Sequence, residues 1–149
     1  MLFLDTNAII YYLHDVKPYS QVVEDIISSE EELYTSIRVI DEAIFTIVRT
    51  KAWLKLGIRR IEKLKEHIKT RGYGIFEAEL KELTTLLEDA KVTVLEDKAT
   101  PKEIIDVARK YHLLPADALI ALTCRHYGIG RILTFDEDFK RVPWLTVIP

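Results

Sequence analysis

The 149-residue chain is long enough to fold as one domain with a buried core, and its composition, 48% hydrophobic and 30% charged, excludes a disordered protein. Its formal net charge of −3 excludes a strong overall field that would draw the chain onto nucleic acid or an anionic membrane. The single cysteine, Cys124, excludes an internal disulfide. No signal peptide is recognisable and no stretch approaches the roughly 20 apolar residues of a membrane helix, so we expect a cytoplasmic protein.

Five short apolar segments predict strands, and longer segments with helical periodicity separate them. Short strands without polar alternation, each followed by a helix, are typical of a parallel sheet that is covered on both faces. We therefore expect a single α/β domain over residues 1–149. The strands are predicted at residues 2–4, 33–35, 92–95, 131–134 and 145–148.

The middle of the chain predicts a helical hairpin insertion at about 53–90, made of two amphipathic helices of opposite charge joined by "RGYG". Nine basic residues and two acidic ones lie between Arg49 and Arg71. Three interpretations remain open: a hairpin whose charges are simply solvated, a dimerisation surface, or a basic surface that guides a polyanion. On the third interpretation, the residues that bind RNA are Arg59, Arg60 and Lys63.

Several acidic residues follow the predicted strands or lie near the start of the next helix. Asp5 directly follows the first strand, and Asp136 follows the fourth. Asp117 lies in the first turn of the apolar segment "ADALIALTC". Each could serve only as a turn or cap residue. In an open parallel sheet, however, ligands bind beyond the carboxyl ends of the strands, so we expect these carboxylates to converge.

Converging carboxylates predict a divalent cation. Asp117 lies in a helix that is apolar all round, so its carboxylate needs a partner or a cation when the helix is buried. Clustered carboxylates repel one another, and Mg²⁺ or Mn²⁺ with oxygen ligands relieves that repulsion. Other chemistries find little support, because the sequence has no glycine-rich phosphate loop, no zinc-ligand spacing and no nucleophile elbow.

Four segments, "FLDTN", "TSIRVIDEAIFTI", "LPADALIAL" and "ILTFDEDF", occur in an order that resembles the PIN domain, and in particular the VapC-type toxin ribonucleases. The resemblance covers essentially the whole chain. It implies a three-layer α/β/α sandwich on a parallel sheet of order 3-2-1-4-5. It also implies that the metal-binding, catalytic acids are Asp5, Glu42, Asp117 and Asp136.

The resemblance further implies that Thr6, Asn7 and Thr134 orient these carboxylates or contact a phosphate. Asp41 is the alternative to Glu42, and Asp138 is the alternative to Asp136.

On a helical wheel, Ile37, Ile40, Ile44 and Val48 define the expected core face of the helix that carries Glu42. Asp41 lies near that face and Glu42 lies to one side of it. The spacing of the family motif therefore selects Glu42, whereas the apolar pattern does not.

The function implied by the resemblance is an endoribonuclease that uses Mg²⁺ or Mn²⁺ to hydrolyse phosphodiester bonds of single-stranded or loop RNA. The resemblance also implies that the chain forms a homodimer, as such proteins commonly do, and that it is the toxin of a pair with a small antitoxin protein. A non-catalytic PIN module that binds RNA or a protein partner is the alternative. A receiver-like phosphoacceptor domain is disfavoured, because the sequence lacks paired acids at the first strand and a lysine after a late strand.

Overall fold

The structure is a computed structural model and describes residues 1–30 and 32–149. Its strands are β1 (Leu2–Leu4), β2 (Leu33–Ser36), β3 (Thr93–Leu95), β4 (Arg131–Leu133) and β5 (Thr146–Ile148). Its α-helices are α1 (Thr6–Leu13), α2 (Tyr19–Ser29), α3 (Ile37–Leu56), α4 (Ile61–Arg71), α5 (Glu77–Asp89), α6 (Pro101–Tyr111) and α7 (Pro115–His126). Short 3₁₀ helices span Gly74–Phe76 and Glu137–Arg141.

The five strands form one parallel sheet in the order β3-β2-β1-β4-β5, which confirms the predicted topology. Strand β1 lies at the centre, where Phe3 pairs with Tyr34 of β2 and with Ile132 of β4. All three residues of β1 are buried, because helices cover both faces of the sheet. The predicted strands are correct to within one residue at each end; for example, β4 ends at Leu133 rather than Thr134.

Helix α3 is longer than the sequence pattern indicates. It begins after Ser36, whose hydroxyl accepts a hydrogen bond from the Val39 N–H, and ends at Gly57, which has the left-handed conformation with φ of 66°. Residues 53–56 of the expected hairpin therefore belong to α3, and the hairpin of α4 and α5 begins at Ile61. A small apolar cluster holds the hairpin against α3: Val48, Ala52, Leu64 and Phe76.

The core face predicted for α3 is only partly correct. Val48 is buried and Ile40 is partly buried, as expected, but two of the four predicted positions are exposed. Ile37 is 57% exposed and Ile44 is 38% exposed, whereas Val39, Ala43 and Ile47 are buried. Burial along α3 therefore does not follow the largest apolar residues. Because Glu42 precedes Ala43, it lies beside the true core face, at the rim of the sheet.

The topology brings residues that are distant in sequence to the carboxyl ends of the central strands. Asp5 follows β1 and Thr134 follows β4, and the two strands are neighbours. The Asp5 N–H donates to the Leu133 carbonyl at 3.1 Å, which continues the pairing of β1 with β4 by one residue. Among the described residues, no helix is both long enough and apolar enough to cross a membrane.

Candidate active site

A cleft of about 260 Å³ lies at the carboxyl ends of β1 and β4. All four acids that the family resemblance selects line this cleft, together with two of the three small polar residues, and they come from four separate parts of the chain. The lining residues are Asp5, Thr6, Asn7, Ile10, Tyr11, Glu42, Thr46, Asp117 and Asp136.

Asp5 is the most buried of the four acids, with 6% of its surface exposed. Its Oδ1 accepts a hydrogen bond from the Thr6 N–H at 2.8 Å, which caps α1, and its Oδ2 accepts one from the Thr134 hydroxyl at 2.7 Å. Burial raises the pKa of Asp5 to about 6, although both hydrogen bonds oppose that rise. The charges of Glu42 and Asp136 raise it further. The carboxylate is thus fixed in position and costly to ionise.

Asp117 lies in the first turn of α7, which begins at Pro115. Burial is the largest cause that raises the pKa of Asp117 to about 7, followed by the negative charges of Asp5 and Asp136. None of the leading influences on this pKa is a hydrogen bond or a cation. The leading influences on this carboxyl group, burial and the neighbouring acids, thus all disfavour its ionised form.

On helix α3, Glu42 lines the cleft and Asp41 does not. Glu42 and Thr46 are one helical turn apart, and both line the cleft. Asp41 is exposed and forms an ion pair with Arg38 at 2.8 Å. The structure thus brings Glu42 to the other acids and leaves its alternative outside.

Asp136 and its alternative, Asp138, lie in the same turn, but their carboxylates bind different groups. The Asp136 Oδ1 accepts a hydrogen bond from the Asp138 N–H at 2.9 Å and caps the 3₁₀ helix, while the Asp136 N–H donates to the Thr134 hydroxyl at 3.1 Å. The Asp138 carboxylate forms an ion pair with Arg141 at 2.8 Å. Asp138 is not part of the cleft lining, although its charge contributes to the raised pKa of Asp117.

The small polar residues have distinct positions. The amide oxygen of Asn7 accepts a hydrogen bond from the Phe135 N–H at 3.1 Å, which joins the start of α1 to the loop after β4. The hydroxyl of Thr6 is buried and has no hydrogen-bond partner among the described residues. Thr134 does not line the cleft, but its hydroxyl donates a hydrogen bond to Asp5.

The donor chemistry of the cleft fits a hard divalent cation. Four carboxylates face one space, and their repulsion contributes to the raised pKa values of Asp5 and Asp117. A cation with oxygen ligands relieves that repulsion. Within residues 1–30 and 32–149, no three His, Cys, Asp or Glu side chains are arranged so that they could hold one ion as they stand. Metal binding would therefore include a rearrangement of these side chains.

The basic residues predicted to bind RNA lie outside the cleft. The Arg59 guanidinium lies 3.9 Å from the ring centroid of Trp53. Arg60 forms an ion pair with Glu62 at 3.7 Å, and Lys63 forms one with Glu66 at 3.6 Å. Arg59 is thus the member of this set whose charge is not matched by a neighbouring carboxylate among the described residues.

Sequence reasoning did not identify three residues of the cleft wall. Ile10 and Tyr11 follow the "DTN" segment on α1, and Tyr11 packs against Phe135 with ring centroids 5.5 Å apart. Thr46 lies four residues after Glu42, so the helical period could have identified it. No comparable sequence signal marked Ile10 or Tyr11.

Comparison with known proteins agrees with this fold. The family described as "PIN domain" matches residues 2–145. Ribonuclease VapC2 of Methanocaldococcus jannaschii is 30% identical, over 99% of this chain and 92% of that protein. Ribonuclease VapC6 of the same organism is 25% identical, over 99% of this chain and 95% of that protein.

Among solved structures, VapBC2 from Rickettsia felis, bound to a DNA fragment from its promoter, contains a chain with a similar fold. The TM-score is 0.62 at 17% identity, with 99% of this chain and 98% of that chain covered. The family match extends over nearly the whole sequence, and the sheet order is the one that the resemblance implied. The chain therefore belongs to the PIN domain family.

Proposed function

We propose that this protein is a divalent-metal-dependent endoribonuclease that hydrolyses phosphodiester bonds of single-stranded or loop RNA. The observation that carries the proposal is the convergence of Asp5, Glu42, Asp117 and Asp136 on one cleft at the carboxyl ends of the central strands. Two relatives that align with almost the whole chain are named ribonucleases, which supports the same reaction.

The four carboxylates have separate roles in this proposal. Asp5, Glu42 and Asp117 would be the principal ligands of Mg²⁺ or Mn²⁺, and Asp136 would bind a second ion directly or through water. When bound, such ions activate a water molecule for attack on phosphorus and neutralise charge on the phosphate and the departing oxygen. Departure of the 3′ oxygen would leave a 5′-phosphate on the product.

The other residues of the cleft position the acids and the substrate. The Thr134 hydroxyl and the Thr6 N–H each hold one oxygen of Asp5, so this carboxylate keeps one orientation. The unpartnered hydroxyl of Thr6 is available to a phosphate oxygen or a bound water. Asn7 ties the loop after β4 to α1 and so keeps Asp136 near Asp5.

We also propose that the protein is the toxin of a toxin–antitoxin pair, that it acts as a homodimer and that a small antitoxin protein binds it. Two relatives carry VapC names, and the similar Rickettsia felis fold comes from a VapBC2 structure. Co-expression with a short neighbouring reading frame tests this role, because an antitoxin should relieve growth inhibition by the wild-type chain. Growth inhibition that no neighbouring frame relieves would contradict it.

The nuclease proposal is tested by incubating the purified protein with single-stranded RNA in Mn²⁺, in Mg²⁺ and in a chelator. We expect cleavage only with a divalent ion, and its loss in Glu42→Gln. The matched control is Asp41→Asn, which changes a neighbouring acid of the same helix that does not line the cleft. RNA binding without cleavage under all conditions would instead support the non-catalytic PIN module.

A further inference from the structure

One face of α3 runs from the acidic cleft to a second, basic cleft. Glu42 and Thr46 line the first cleft, and Arg49 and Trp53 line the second. At ~100° per residue, these four positions fall within about 60° of one another around the helix axis. A strand of RNA lying along this face would therefore meet both clefts.

The second cleft has a volume of about 400 Å³ and contains an exposed aromatic ring. Trp53 is 43% exposed, and the Arg59 guanidinium lies 3.9 Å from the centroid of its ring. Nucleic-acid bases stack on aromatic rings and on guanidinium planes. Among the described residues, no acid lines this cleft, and its lining consists of Arg49, Thr50, Trp53, Ile58 and Arg59.

The fold holds Trp53 and Arg59 together before any ligand binds. Gly57 turns the chain at the end of α3, and the Ile58 N–H donates to the Ala52 carbonyl at 3.2 Å. Buried contacts of Ala52 with Leu64 and its neighbours fix the start of α4 against α3. The pair therefore needs little ordering when a base stacks on it.

The charge of this surface favours a polyanion. The chain has a net charge of −3, yet no ion pair joins Arg49 or Arg59 to an acid in the described part of the chain. Arg60 and Lys63, by contrast, are paired with glutamates near them in sequence. Two arginines beside an exposed indole match the phosphates and bases of a single-stranded nucleic acid better than the apolar surface of a protein partner.

We propose that Trp53 and Arg59 form a stacking platform for one base of the RNA substrate, and that Arg49 contacts the backbone between this platform and the acidic cleft. This inference rests on the proposed ribonuclease function, because it assigns a subsite that binds part of the RNA substrate. Glu42 and Trp53 are eleven residues apart, which corresponds to about 16 Å along the helix. At about 3.4 Å per stacked nucleotide, roughly five nucleotides or fewer bridge that distance.

The platform is tested by RNA affinity in the full chain carrying Asp5→Asn, which prevents cleavage during the measurement. Fluorescence anisotropy with a labelled octanucleotide and a labelled dinucleotide compares a ligand that reaches both clefts with one that does not. We expect Trp53→Ala to weaken octanucleotide binding about tenfold, because one stacked base is lost. Trp53→Phe should keep most of the affinity, since phenylalanine retains an aromatic face.

Leu54→Ala is the matched control for this substitution. Leu54 is the next residue on α3, is 66% exposed and does not line either cleft. We expect it to leave both affinities unchanged. The gain in affinity from dinucleotide to octanucleotide should persist in this control and shrink in Trp53→Ala.

Arg49→Gln tests the phosphate contact. We expect the slope of log K against log salt concentration to fall by about 0.7 for the octanucleotide, because one phosphate contact with single-stranded RNA is removed. The control is Lys69→Gln, which removes an exposed charge on α4 outside the clefts. Equal slopes for the Asp5→Asn parent with and without Arg49→Gln would overturn this part of the proposal.

The platform is contradicted if Trp53→Ala and Trp53→Phe both bind the octanucleotide as the Asp5→Asn parent does. If the Trp53 substitutions change the sedimentation coefficient of the protein but not its affinity for RNA, the proposal is also overturned, because this face would then be a contact between copies of the chain. If the wild type cleaves RNA but the Trp53 variants bind normally, only the platform fails. If affinity depends on Trp53 but no divalent ion supports cleavage, the proposed function fails and the platform stands.

Discussion

Replacement of Asp5 with asparagine removes a carboxylate that the fold holds almost completely away from water. Only 6% of Asp5 is exposed, and the charges of Glu42 and Asp136 add to the cost of ionising it. Asparagine is close to aspartate in size, and its amide oxygen can still accept from the Thr6 N–H and so keep the cap of α1. The substitution therefore changes the charge of the cleft with little change in its packing.

The expected change in the free energy of unfolding follows from the pKa of Asp5. Burial raises the pKa of Asp5 from 3.8 to about 6, and at about 1.36 kcal/mol per pKa unit this corresponds to about 3 kcal/mol. Between these two pH values the folded protein binds more protons at this residue than the unfolded chain does. The free energy of unfolding therefore falls as pH rises through this window, and the full penalty is present above about pH 6. The asparagine side chain of the Asp5→Asn variant has no ionisable group, so the variant escapes that penalty.

The assay is urea denaturation at several pH values in buffers without divalent ions. We expect Asp5→Asn to be more stable than the wild type by about 1–3 kcal/mol near pH 8, and the difference to shrink towards pH 4. Asp41→Asn, an exposed acid outside the cleft, should leave the pH dependence nearly unchanged. If Asp5→Asn is less stable than the wild type across the whole range, Asp5 is a structural residue and the account of the cleft is wrong.

Three further results are expected. Thr134→Val should lower the free energy of unfolding by about 1–3 kcal/mol, and by more at pH 7 than at pH 5. The hydrogen bond that is lost favours the ionised form of Asp5 in the wild type, and that form is more populated at pH 7. An equal loss at both pH values in urea denaturation would contradict this. Gly57→Ala should cost about 1 kcal/mol in the same assay, since φ is 66° and no atom lies within 4 Å of the added Cβ; a stabilised variant would refute the left-handed cap. Cys124 is buried, and burial raises the pKa of its thiol, so a thiol reagent should label it only as fast as the protein unfolds, and fast labelling of the native protein would contradict that placement.

The sheet could be predicted from the sequence because its signals are local. Strand β1 is apolar and buried on both faces, and Asp5 follows it immediately. The helix starts at Ser36 and Thr100 carry side chains that satisfy the first N–H groups, and Thr100 forms a full capping box with Glu103. The order of the strands came from the family resemblance, since strand pairing depends on contacts between distant parts of the chain.

The core face of α3 could not be predicted in this way. The helical wheel placed Ile37 and Ile44 in the core together with Val48, but only Val48 of these three is buried, and Val39 and Ala43 are buried as well. Burial along α3 is determined by what packs against it, namely α1, α5 and α7, and the sequence of one helix does not contain that information. For the same reason the apolar pattern placed Asp41 nearer the expected core face, whereas the family spacing selected Glu42, which is the residue that lines the cleft.

Trp53 illustrates a second limit of prediction from the sequence. The sequence indicated a basic segment and selected Arg59, Arg60 and Lys63 alike, because charge counts do not reveal which side chains are paired. In the fold, Arg60 and Lys63 have carboxylate partners, whereas Arg59 covers Trp53. Trp53 lies on the same face of α3 as Glu42 because α3 continues to Leu56, which the sequence pattern did not predict.

The central claim is that the carboxylates of one cleft bind a divalent ion that RNA cleavage requires. It is tested most directly by titrating the protein with Mn²⁺ and measuring bound Mn²⁺ and the rate of single-stranded RNA cleavage on the same samples, for the wild type and for Asp117→Asn. We predict that both quantities rise together and saturate together in the wild type, and that Asp117→Asn binds Mn²⁺ weakly and cleaves little or no RNA. Cleavage that persists in a chelator, or Mn²⁺ binding and cleavage that are unchanged in Asp117→Asn, would contradict the claim.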